Sequence, residues 1–223
     1  MNFMIAEGSS GNAMNTLFYV IVGAALFIFL FRAGIAYPRY KRSLFAHIYD
    51  NYLIDYFYKL NVMQDTSHSG LLKKLIGHHR LVYANITNKE GKLSAQVLTL
   101  IHSKGILSIA YLITHGALQG TNAGYWYVKR EEDGQLKKYR LENPSVYLRE
   151  YIKHLHEVNE GKEVQSLIAI SDDCDTSGIS CTIPVVKYSE VIDHIKSADC
   201  GYGLNDTEID ALFEKLGGKI DHK

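Results

Sequence analysis

The stretch "LIHSKGILSIAYLITHGALQG" (residues 100–120) holds two runs of aliphatic and β-branched residues on either side of Ser103-Lys104-Gly105. That composition, broken by a Gly-containing turn, predicts a β-hairpin over 95–113. The hairpin lies in a gap of acidic residues. No Asp or Glu occurs from Gly91 to Arg130, although the 223-residue chain carries 24 of them. Buried strands exclude charge, which accounts for part of this gap.

Further strands are expected at 79–86, 164–171 and 181–188, with a second hairpin over 124–141 that turns at Asp133-Gly134. Residues 143–158 carry a helix signature: Asn143 as N-cap, Pro144 as first helical residue, and an apolar stripe of Tyr147, Tyr151, Leu155 and Val158. Residues 189–198 read as another capped helix, and 205–218 as a helix opened by an Asn205–Glu208 capping box and stopped by glycines. Hairpins followed by helix, strands and helix indicate an α/β class, with a mixed β-sheet flanked by helices.

Toward the N-terminus, "LFYVIVGAALFIFLF" (17–31) is unbroken apolar sequence, extended past Arg32 to Tyr37. At about 1.5 Å per residue, 17–37 spans roughly 30 Å, the thickness of a hydrocarbon core. A cleaved signal peptide would need a basic leader, but residues 1–16 contain no Lys or Arg, only Glu7. A buried helix of this length would show a polar face. The expectation is therefore one transmembrane helix at 17–37, with a short extracytoplasmic segment at 1–16. Arg32, Arg39, Lys41 and Arg42 mark the cytoplasmic boundary and place the rest of the chain inside. Residues 38–63, after a kink at Pro38, read as a juxtamembrane helix with a broad aromatic face. That face would pack on membrane, on partner protein or on the chain's own domain. Residues 64–70 read as a polar linker, 70–200 as the α/β domain, and 201–223 as the capped C-terminal helix and tail.

Lys+Arg and Asp+Glu balance at 24 each, so no net charge draws the chain to nucleic acid. Cys174, Cys181 and Cys200 fit neither a disulfide framework nor a zinc site and are expected as reduced thiols.

Gly105, Gly116 and Gly120, then Trp126, then Asn143-Pro144, follow the spacing of a known pattern, and the domain resembles the nuclease-related domain (NERD) family of the restriction-endonuclease-like superfamily. The resemblance implies that fold, together with a metal-dependent phosphodiesterase site of an Asp followed by Glu-x-Lys. Gln96, Ala110 and Leu112 stand where that Asp, Glu and Lys are expected, and Tyr147 stands where the family has Gln. The resemblance thus implies a catalytically degenerate, membrane-anchored scaffold with no catalytic residue, metal or cofactor. Its expected place is the bacterial inner membrane, as an adaptor or structural subunit with other proteins as partners. A nuclease relocated to Glu90, Glu131 or Glu132, or a nucleic-acid binder that does not cut, is the less favoured reading.

Other groups read as structural. His102 and His115 flank Lys104 without a third ligand at matching spacing. Lys73, Lys74, His78, His79 and Arg80 form a basic cluster that reads as a solvated face near anionic lipid. Asp172, Asp173 and Asp175 read as an acidic turn flanked by Cys174 and Cys181, without a calcium-loop register.

Overall fold

The computed structural model describes residues 10–49, 66–87, 91 and 93–218. It divides into two compact units, Met1–Lys41 and Arg42–Lys223. In the first, helix α1 (Ser10–Lys41) carries apolar side chains exposed on every side, Phe18, Val20, Phe27 and Phe31 among them. From Asn15 to Lys41 it is long and apolar enough to cross a membrane. Arg32, Arg39, Lys41 and Arg42 are all exposed, with Arg39 and Lys41 in the last turn.

One expectation is corrected here. The helix does not hand over at Pro38 to a second long helix: it continues through Pro38 to Lys41, and the chain turns at Arg42–Ser43. Ser43 adopts an extended conformation, and only a short α2 (Leu44–Ile48) follows. Residues 50–63 of the expected juxtamembrane helix lie outside the described residues. Leu44, Ile48 and Tyr49 are buried in the domain's own core, and the Phe45 ring meets Tyr83 and Tyr111 at 5.9 and 5.7 Å. Burial of the apolar side of α2 sets where the chain bends.

The second unit is mixed α/β. A five-stranded mixed sheet has the order β1 (His79–Thr87), β2 (Leu93–His102), β3 (Gly105–Leu112), β7 (Val164–Ile170), β9 (Val185–Lys187). The first three strands form an antiparallel meander, and β7 and β9 add in parallel. A second, four-stranded mixed sheet has the order β6 (Gln135–Leu141), β5 (Trp126–Glu132), β4 (Gly116–Thr121), β8 (Cys174–Ser180).

Alternation along the central strands sends side chains to two covered faces. Leu98, Leu100, Leu107, Ile109 and Leu167 meet α2, α3 (Gly70–Ile76) and α5 (Val191–Ser197) on one side. On the other, Val97, Ala110 and Ile168 meet α4 (Pro144–Val158) and the second sheet, while Ile101 and Ile106 meet α6 (Asp206–Lys215). Leu98, Leu100, Ile101, Ile109 and Ala110 are fully buried. This double covering is the physical reason that β2 and β3 carry no carboxylate.

Helix α4 begins as its sequence predicts: the Asn143 side chain accepts from the Ser145 N–H at 3.0 Å. Its buried stripe is centred on Leu148 and Leu155, however, and Tyr147 is moved to the flank, where its hydroxyl donates to Glu142 at 3.1 Å. The capping box of α6 forms as expected between Asn205 and Glu208.

Three more expectations are corrected. The polar linker expected at 64–70 is, where described, packed into the domain: Ser67 and Ser69 are buried and Ser69 caps α3. Strand β9 is confined to Val185–Lys187, preceded by Pro184, whose ring nitrogen has no proton for a ladder. Most of the expected acidic turn 171–178 is strand β8, recruited by parallel pairing with β4, and the turn itself is short. Cys174 and Cys181 therefore lie at opposite ends of a strand about 20 Å long, and all three cysteines are free thiols.

Candidate functional site

The positions singled out by the resemblance converge on one cleft only in part. An open cleft of about 350 Å³ is lined by Leu93, Ser94, Ala95, Gln96, Tyr111, Leu112, Ile113, Arg140, Leu141 and Glu142. Gln96 and Leu112 both line it, but from opposite faces of the pleat. In the β2–β3 register Gln96 stands opposite Tyr111 and Val97 opposite Ala110, and directly opposed residues share a face. Gln96 turns to Asn85 across the β1–β2 ladder, donating to its Oδ1 at 3.4 Å. Ala110 is fully buried among Val97, Leu118, Trp126 and Ile168, out of reach of the cleft.

Spacing alone misses the cleft's charged residues, Arg140 and Glu142, which come from the end of β6 and the link to α4. The Arg140 guanidinium lies 4.2 Å from the centroid of the Tyr125 ring, and the Glu142 carboxylate accepts from Tyr147. A hard divalent cation needs several convergent oxygens. Here Glu142 is the one carboxylate among the described lining residues, and among the described residues no group of three or more His, Cys, Asp or Glu could hold a metal.

The three glycines of the pattern have structural work. A Cβ on Gly105 would lie 2.6 Å from the Cys200 Cβ, and one on Gly120 would lie 2.2 Å from the Trp126 ring. Gly116 has φ +100° and packs against the Lys129 carbonyl. Only glycine combines that backbone with that contact.

The candidates for a relocated site fall elsewhere. Glu90 lies outside the described residues. Glu131 and Glu132 stand at the tip of the β5–β6 hairpin, whose turn at Asp133-Gly134 takes positive φ at both residues. Glu132 accepts from Tyr139 at 2.6 Å and from Lys137 at 3.3 Å, and the Tyr139 bond leads in holding its carboxyl below the usual range. Asp172 is committed to the Ser189 amide and hydroxyl at 2.9 and 2.7 Å, and Asp175 to the Ser177 amide at 2.9 Å. His115 is exposed, whereas His102 is buried at the far end of β3 from it, so the two do not meet.

The basic cluster, by contrast, is organised. His79 and His102 are directly opposed on β1 and β2, both almost wholly buried. The His79 Nε2 accepts from the Ser69 amide at 3.0 Å and its Nδ1 donates to the Gly77 carbonyl at 3.0 Å, which fixes a neutral ring. His102 takes the Lys104 amide on Nδ1 at 3.4 Å, while its Nε2 has no partner. Burial lowers both histidines to a pKa of about 4. Arg80 donates to Asp210 at 2.6 Å, to His68 and to Ser67, and stacks on Phe213 at 5.2 Å. His78 meets the same Asp210 oxygen at 3.0 Å. Partial burial opposes ionisation of Asp210, but the bonds from Arg80 and His78 hold its carboxyl below the usual range.

Comparison with protein-family models, with curated proteins and with solved structures finds no match to this chain.

Proposed function

We propose that this chain is a membrane-anchored, catalytically degenerate nuclease-like domain, serving as a structural or adaptor subunit of a bacterial inner-membrane assembly such as a secretion or DNA-transfer apparatus. The resemblance carries the reading: at the positions it aligns with the family's Asp, Glu and Lys this chain has Gln96, buried Ala110 and Leu112, none of which offers an anionic ligand. The antiparallel meander β1–β2–β3, joined in parallel by β7 and then β9, supports the nuclease-like part. Helix α1 supports the anchor. The basic residues toward and just past its C-terminal end support an extracytoplasmic N-terminus and a cytoplasmic domain.

The test is purification of the full chain from its native membrane in mild detergent after mild cross-linking. Stoichiometric co-purification with defined membrane or cytoplasmic subunits is expected. A stable chain without partners, cross-linked or not, would overturn the adaptor role.

A further inference from the structure

The basic cluster before β1 frames a pocket that the nuclease-like reading leaves unused. It has a volume of about 320 Å³, is open to solvent, and is lined by His68, Ser69, Gly70, Lys73, Gly77, His78 and His79. Among the described residues no acidic residue is in its wall, and the sequence has none from Thr66 to Arg80. Asp210 bonds to His78 at 3.0 Å, and Arg80 offsets its charge at 2.6 Å. Among the described residues neither Lys73 nor Lys74 meets a carboxylate within ion-pair distance. His79 holds the frame. By accepting from Ser69 and donating to Gly77, its buried ring ties together the two lips of the pocket, one at each end of α3. The lips are bare: a Cβ on Gly70 or on Gly77 would find nothing within 4 Å.

We infer that this pocket binds a phosphate ester. Lys73 supplies the charge and a donor, and the His68 and His78 rings line the pocket beside it. A compact, multiply charged oxyanion suits a lysine point charge. A volume of about 320 Å³ exceeds that of a bare ion and matches the low end of small-ligand pockets, roughly 300 Å³. The phosphate belongs either to a lipid headgroup, at high local concentration for a chain tethered to a bilayer, or to a soluble ester. The inference does not depend on the nuclease-like reading.

The full chain, reconstituted in phosphatidylcholine nanodiscs, is titrated with inorganic phosphate at constant ionic strength while amide hydrogen exchange is followed over residues 66–79. A second arm uses nanodiscs containing phosphatidic acid, without added phosphate. Saturable protection in the first arm assigns a soluble source, and protection in the second arm alone assigns a lipid headgroup. Either result supports the site. Lys73→Gln should weaken the response about tenfold, the loss of one charged hydrogen bond, while Lys73→Arg and the remote control Lys196→Gln should retain it. No protection in either arm, equal protection by chloride, or an undiminished response in Lys73→Gln would overturn the assignment.

Discussion

Acidification should unfold the domain through two histidines. His79 and His102 are opposed on adjacent strands, each about 1% exposed, with pKa values lowered by burial from 6.5 to about 4. In the unfolded chain both return to the ordinary value and bind protons that the folded state refuses. Stability is therefore complete above pH ~6.5 and is lost progressively as the pH falls toward ~4. A shift of this size corresponds to about 3 kcal/mol per histidine, of which about 2 kcal/mol is lost by pH 5. The pair together accounts for about 6 kcal/mol, comparable with the whole stability of many domains. Trp126, the only tryptophan and fully buried, reports unfolding by fluorescence. Urea midpoints from pH 7.5 to 4.5 should fall steeply below pH ~6.5. His102→Leu removes one titrating ring, together with a buried nitrogen that has no partner, and should halve the slope. A midpoint that stays flat across this range, or a slope unchanged in His102→Leu, would refute the reasoning.

Other outcomes follow from packing and sidedness. Gly120→Val drives a side chain into the Trp126 ring and should cost about 3 kcal/mol or more in urea unfolding. Asn143→Ala removes the cap bond to Ser145 and the bond to the Thr121 carbonyl and should cost about 1–2 kcal/mol by the same assay. In intact spheroplasts, Asn2→Cys should react with a membrane-impermeant maleimide. The partly exposed native Cys181 should react only after lysis, and the reverse pattern would invert the proposed topology.

The sequence was most legible where structure is local. The Asp133-Gly134 turn, the Asn143 cap and the Asn205–Glu208 box each depend on residues within three positions of one another, and each forms as its chemistry requires. Of the second sheet only the β5–β6 hairpin was legible, because β4 and β8 pair in parallel from Gly116 with Cys174 onward, and β8 (Cys-Asp-Thr-Ser-Gly-Ile-Ser) has turn-like composition that tertiary pairing overrides. The candidate site was half legible. Spacing identified the strand positions of Gln96, Ala110 and Leu112, but the faces depend on register, which puts Val97 and not Gln96 opposite Ala110. Arg140 and Glu142 reach the cleft, and Asp210 reaches Arg80, across separations that no local pattern encodes.

On the proposed reading, this domain does not cut phosphodiesters. The direct measurement incubates the purified full chain with single-stranded and duplex DNA in Mg²⁺ or Mn²⁺, alongside an EDTA blank. The account predicts product no greater than in the blank for either substrate. Cleavage that requires the metal, disappears with EDTA and is lost in Glu142→Gln would contradict it and return the cleft to catalysis.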